Sequence, residues 1–282
     1  MTVFKAACIQ LNASREVEPN IRAASALVRG ACEAGADLIM TPEVSDMIEP
    51  KRALREAKAC AESAHPMLAS FRDLARETGA HLLLGSIIVR MEGDGRLANR
   101  SFLIAPDGSI LARYDKIHMF DVDLPGGESY RESAVFKPGE GTALAPLPWG
   151  MLGLTICYDL RFPHLYRALA QGGADFLTVP SAFTVPTGKA HWHVLLRARA
   201  IENGCFVFAP AQCGEHAEGR RTYGHSLIVA PWGEVLAEAG EEPGFILAEI
   251  DPAKIAEARR AVPSLGHDRP FASPRKRPAA AE

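Results

Sequence analysis

The sequence is short of most features that mark a specialised chain. Its 282 residues carry 31 Lys and Arg against 34 Asp and Glu, a net charge of −3. So even a balance supplies no electrostatic footprint for nucleic acid or for an anionic membrane. No apolar run approaches the roughly 20 residues of a membrane span, and the opening MTVFKAACIQLN lacks the apolar core of a secretory leader. The six cysteines (Cys8, Cys32, Cys60, Cys157, Cys205 and Cys213) are irregularly spaced and include no CxxC pair. That spacing, in a chain of this size, argues against a disulfide scaffold or a zinc ribbon. The HExxH signature, a Cys/His cluster, a phosphate-cradling glycine loop and internal repeats are all missing. Asn12-Ala-Ser and Asn99-Arg-Ser match a glycosylation pattern and are read as chance. What remains is a chain for a reducing compartment, expected to be cytoplasmic, with neither metal nor cofactor expected.

What is present is core material: 48% hydrophobic residues with 23% charged. Short apolar runs alternate with helical patterns. Strands are expected over residues 3–11, 37–41, 81–90, 100–105 and 109–114, and helices over 20–34 and 52–78, the second interrupted at His65-Pro66. Residues 116–141 read as a long loop. Alternation resumes with a strand before Cys157, a helix over 163–171, a strand over 176–179 and a helix over 189–203. Further strands are expected over 205–211, 226–229, 235–238 and 245–250, followed by a helix from Pro252. Gly-Asp-Gly and Pro-Asp-Gly between strands are hairpin chemistry. Hairpin-rich strand groups beside helices predict an α/β fold of four layers, α-β-β-α, with a doubly wound single sheet as the alternative. Residues 1–271 are expected to form one domain, and 272–282 a mobile basic tail rich in Pro and Ala.

Three apolar segments end on ionisable residues. DLIMTP leads into Glu43, ILARYD into Lys116, and LGLTI into Cys157. Ligands collect at strand ends in sheets flanked by helices, so the three could meet. Together they would form a nucleophilic set. A thiol of ordinary pKa about 8.5 needs a base or a cation nearby. Glu43 could take its proton, and Lys116 could stabilise thiolate and oxyanion. Taken singly, each has a plainer reading: a buried structural thiol, a capping carboxylate, a solvated turn lysine.

The surrounding motifs change that balance. TPEVSD, YDKIHMFDVDLPGGESYRES, LTICYDLRFP, PSAFTVPTGKAHW, LLRARAIENGCFVFAPAQCG and YGHSLIVAPWGEV occur in this order. With them the chain resembles the carbon–nitrogen hydrolase (nitrilase-like) superfamily over residues 5–271. Within it, the resemblance is to the branch of deaminated-glutathione amidases and ω-amidases, nearer the former. It implies a Glu43–Lys116–Cys157 triad and a fourth carboxylate, Glu132, preferred over nearby Glu128. It also implies that the Tyr158 N–H joins the oxyanion site and that Arg161 faces the pocket to hold a substrate carboxylate. The plainer reading of Arg161 is an ion pair with Asp159 or a neighbour. Phe183 and Thr187 are similar to pocket-wall positions. Two positions depart from animal members of the branch, which commonly carry glutamate where this chain has His164 and His193. The resemblance further implies a homodimer.

The function expected is hydrolysis of a carboxylate-bearing primary amide through a thioester, releasing ammonia. Deaminated glutathione is the favoured substrate; ω-amides such as α-ketoglutaramate, carbamoyl amino acids and nitriles are the alternatives. Two other classes are weighed. Nine histidines could serve a metal hydrolase, but His191 and His193 flank Trp192 at i and i+2 and point to different sides of a helix. A non-catalytic scaffold could keep the fold and use the site only as a ligand pocket.

Overall fold

A run such as FKAACIQ has no polar face to give to solvent, and at Phe4–Gln10 every residue except Lys5 is buried. Burial on both faces needs a layer on each side, and the computed structural model supplies both. It describes residues 2–93, 95–124 and 127–272; the expected tail lies, from residue 273 on, outside the described residues. Two six-stranded sheets pack face to face. The first runs, in spatial order, Gly244–Ile250, Phe4–Gln10, Leu38–Met40, His81–Arg90, Leu97–Ile104, Ile110–Asp115. The second runs Val235–Glu238, Leu227–Val229, Phe206–Ala209, Phe176–Thr178, Gly150–Leu154, Ala143–Leu147.

Side chains alternate between layers with the strand period of two. Phe4, Ala6 and Cys8 join a core with Leu152, Phe176 and Phe208 of the second sheet. Ala7 and Ile9 instead pack with Val28, Phe71 and Leu74 of helices Val17–Glu33 and Pro66–Thr78. On the far side, Leu165 and Trp192 of helices Pro163–Gln171 and Val185–Asn203 complete the fourth layer. The α-β-β-α expectation therefore holds, and the single doubly wound sheet does not.

Strand direction decides where the chemistry collects. Leu38–Met40 and His81–Arg90 are parallel. Leu97–Ile104 returns antiparallel, and Ile110–Asp115 turns again. The exits of Leu38–Met40 and Ile110–Asp115 thus lie at one end of the first sheet, and they carry Glu43 and Lys116. In the second sheet, Gly150–Leu154 is parallel to Phe176–Thr178 and exits toward Cys157.

Several elements differ from the sequence reading. Residues 116–141 hold a short hairpin, Asp121–Asp123 with Ser129–Arg131, and a 3-10 turn, Glu132–Ala134. Three-residue strands offer too little alternation to detect. The hairpin Cys213–Glu215 with Arg221–Tyr223 was missed for the same reason. Ala143–Leu147 contains Pro146, which speaks against a strand, yet it forms the outer edge of its sheet, where proline is tolerated. Helix Val185–Asn203 begins four residues before Lys189 because Pro186 occupies its first turn, where its missing N–H costs nothing. No helix among the described residues is long and apolar enough to cross a membrane.

Gly85 sits where the sheets approach beside these exits. A Cβ there would lie 1.8 Å from the Thr41 carbonyl oxygen and 2.7 Å from Pro180 Cβ. Gly85→Ala should therefore cost about 1–3 kcal/mol of stability and reduce turnover, since Thr41-Pro42 leads directly into Glu43. A urea midpoint equal to wild type would contradict this packing.

Candidate active site

Lys116 follows its strand by one residue and is fixed through its backbone. Its N–H donates to Asn99 O (3.0 Å), and its carbonyl accepts the Gly139 N–H (2.8 Å). The side chain turns inward and is 2% exposed. A buried ammonium needs opposite charge, and Nζ donates to Glu43 Oε1 at 2.8 Å and to Glu132 Oε1 and Oε2 at 2.9 and 2.8 Å. Glu132 also accepts the Phe120 N–H at 2.6 Å.

The Glu43 carboxylate is held at both oxygens. Oε1 accepts from Asn99 Nδ2 (2.9 Å) as well as Lys116, and Oε2 accepts the Ala182 N–H (3.0 Å). Its main chain is held by Gln212, whose Nε2 donates to Glu43 O at 3.0 Å. Val44 follows at φ 47°, unusual for a β-branched residue, with its N–H donating to Ser86 Oγ at 2.8 Å.

Cys157 opens the 3-10 turn Cys157–Arg161 at φ 50°. Its N–H donates to Pro180 O at 3.0 Å, tying the turn to the neighbouring strand exit. The turn is braced by buried Asp159, which accepts from Tyr114 Oη (2.7 Å), the Ile156 N–H (2.9 Å) and the His118 N–H (3.0 Å). The thiol lies close enough to Glu43 and Lys116 to feel the charge of both. Tyr158 is second in the turn, where a main-chain N–H has no partner within the helix.

Glu43, Lys116, Glu132, Cys157, Tyr158, Arg161, Phe183 and Thr187 all line one cavity of about 390 Å³. Glu128 is exposed and accepts Tyr130 Oη instead, at 2.8 Å, which separates it from Glu132. Arg161 makes no ion pair with Asp159. Its Nη1 lies 3.3 Å from His191 Nδ1, and its guanidinium sits over Phe183 and Tyr158. His164 and His193 do not line the cavity. His193 and His225 both contact Glu238 Oε1, at 2.8 and 3.1 Å; this trio, the one set of residues with metal-ligand spacing among those described, lies away from the cavity.

Sequence reasoning missed Asn99, Arg55 and Arg220. Asn99 is a buried amide in strand Leu97–Ile104, beside the segment that ends in Lys116. Arg55 and Arg220 sit in a surface helix and a connecting turn, where arginine is unremarkable.

The charges set the resting protonation. Burial raises Glu43, but the Lys116 ammonium and the hydrogen bond from Cys157 outweigh it and hold the carboxyl below its usual range. Burial lowers Lys116, but Glu132 and Glu43 outweigh that and push it well up. Burial and then the Glu43 charge raise the Cys157 thiol well above its ordinary value, Lys116 opposing only in part. At neutral pH the cluster thus holds a neutral thiol beside an anionic base.

A model of the carbon–nitrogen hydrolase family matches residues 5–260. The chain is 43% identical to a deaminated glutathione amidase of Synechocystis sp., covering 95% of this chain and 98% of that protein. It is 37% identical to an omega-amidase of Homo sapiens, covering 93% and 94%. Among solved structures, the C. elegans NitFhit protein matches with a TM-score of 0.88 at 36% identity; the match covers 95% of this chain and 65% of that one.

The raised groups set an alkaline limit. Cys157 and Lys116 bind their protons more tightly folded than unfolded, so their contribution is complete below the unfolded values and is lost as pH rises toward the folded ones. Glu43 behaves oppositely: its contribution is present above the unfolded value of about 4.3 and is lost on acidification through its lowered one. Cys157→Ala should make the stability loss above about pH 8.5 shallower, by up to about 1.4 kcal/mol per pH unit. Urea titrations across that range measure it, and parallel slopes for the two proteins would contradict it.

Proposed function

The chain belongs to the carbon–nitrogen hydrolase family and is a hydrolase of carbon–nitrogen bonds; from that premise we propose that it is an amidase using Cys157 as nucleophile, with deaminated glutathione as its substrate. The observation that carries this reading is that Cys157, Glu43 and Lys116 line one cavity, with Lys116 Nζ 2.8 Å from Glu43 Oε1 and the thiol close enough to feel both charges. A high thiol pKa makes free thiolate scarce, so attack and proton transfer are coupled: as sulfur bonds to the amide carbon, the proton passes to Glu43. Lys116 Nζ and the Tyr158 N–H receive the developing oxyanion. Glu43 then returns the proton to the departing amine as the carbon–nitrogen bond breaks. Water, deprotonated by the same carboxylate, attacks the thioester; the acid leaves and Cys157 regains its proton. Glu132 orients Lys116, and Asn99 fixes the Glu43 carboxylate for both steps. Arg161 holds the acyl-side carboxylate, with Phe183 and Thr187 as the adjoining wall.

The second reading, an ω-amidase, is supported by the similarity to the human omega-amidase. The two readings share an acyl group and differ in the amine. An ω-amide gives ammonia, whereas deaminated glutathione contains no primary amide and gives the amine of its cysteinyl-glycine part, so the expected release of ammonia from a primary amide applies only to the ω-amidase reading. The same reading takes residues 1–271 as one domain in the cytoplasm, a setting that suits six unpaired thiols. It also takes the protein as a homodimer. Support for the dimer is exposed apolar surface: Val194 and Ile201 on the outer helix, and Trp232, whose neighbour Gly233 abuts Ile201.

Glu132→Gln should lower kcat on an amide substrate by about a hundredfold, while Glu128→Gln stays within about twofold; equal effects in steady-state assays would contradict the assignment. Arg161→Ala should raise KM about tenfold or more for substrates with an acyl-side carboxylate. An unchanged KM would remove its clamp role.

A further inference from the structure

Arginines in this molecule commonly sit against a carboxylate, as Arg29, Arg52, Arg100 and Arg131 do. Three that line the active-site cavity have no such ion pair among the described residues: Arg161, Arg55 and Arg220. They fall into two places. Arg161 stands in the Cys157 turn. Arg55 comes from helix Arg52–Lys58 and Arg220 from the turn before Arg221–Tyr223.

Arg55 gives Nη1 to Glu49 O at 3.2 Å and lies over the Phe136 ring. Arg220 gives Nη2 to Ala182 O at 3.4 Å and lies over Tyr130. In each, the Nε atom is buried and meets no acceptor. Arg55 and Arg220 line the same cavity, and burial and then the like charge of Arg220 push the Arg55 guanidinium down, opposed in part by Glu132, Glu56 and Glu49. Two guanidiniums around one cavity, each with an unmet buried donor, are costly unless an anion joins them. The acids of the site act on these arginines only at a distance, with no ion pair to either among the described residues. Glu43 is held by Lys116, Asn99 and Ala182, and Glu132 by Lys116 and Phe120.

The side of the substrate follows from the neighbours. Arg161 shares its turn with Tyr158, whose N–H belongs to the acyl side. Arg220 bonds the carbonyl of Ala182, the residue whose N–H holds Glu43, and Glu43 is the group that protonates the leaving amine. We propose that Arg55 and Arg220 form a second anion clamp for a carboxylate carried by the leaving amine. The enzyme then selects amides with a carboxylate on each side of the scissile bond over ω-amides, which have only one. This rests on the amidase reading above.

The test compares deaminated glutathione with its analogue in which the glycine carboxylate is a carboxamide. Wild type should prefer the acid in kcat/KM by about tenfold or more. Arg220→Gln and Arg55→Gln should each move that ratio toward one, with Arg220→Lys intermediate because it keeps charge without the fork. A wild-type ratio near one, or a ratio unchanged in the variants, overturns the clamp whatever the absolute rates. Hydrolysis of neither compound would instead sink the amidase reading. The clamp is then read by calorimetric binding of both compounds to Cys157→Ala, where tighter binding of the acid supports it and equal binding overturns it.

Discussion

An ammonium buried between two carboxylates is the constraint on which the site depends. Lys116 could not be carried into the sandwich alone, because the desolvation of one charge exceeds what packing returns. Glu43 and Glu132 make its burial tolerable, and Lys116 in turn keeps Glu43 ionised in a place where burial alone would protonate it. The trio carries a net negative charge, so ionising a fourth member, the thiol, is opposed. Burial first, and then this charge, keep Cys157 protonated, so its activation must be a proton transfer within the cluster. Removing any one member changes the protonation of the others as well as deleting a contact.

The fold brings this cluster together by strand direction. Two exits of one sheet and one of the other deliver Glu43, Lys116 and Cys157 to the same end of the sandwich. Glu132 arrives differently, through a short hairpin that folds back so that the carboxylate meets Lys116, sixteen residues earlier. Positive φ at Val44 and Cys157 marks the exits that carry Glu43 and the thiol, and backbone bonds to Ser86 and Pro180 hold both turns. The strain is local and fixed by neighbouring strands, as a preorganised site requires.

The legible parts were those with a contrast. Apolar strands ending on Glu43, Lys116 and Cys157 stand out because a core run seldom stops on an ionisable group. The two-sheet architecture was legible through hairpin turns between strands. Choosing Glu132 over Glu128 depended on family resemblance, because the two acids lie four residues apart in a loop and only their partners separate them: Lys116 for one, Tyr130 for the other. Asn99 was passed over because its strand was read as starting at Arg100. Arg55 and Arg220 were invisible because their meaning lies in what they lack, a carboxylate partner, and partners exist only in three dimensions. Edge strand Ala143–Leu147 was hidden by a proline that an edge accommodates.

The central claim is covalent: an acyl group passes through the Cys157 sulfur. Intact-protein mass spectrometry after rapid acid quench during turnover measures this directly. The account predicts a species heavier by the substrate's acyl group, labile to hydroxylamine and mapped to the peptide containing Cys157. Turnover with the protein mass unchanged at every quench time, or an acyl group on another residue, would contradict it.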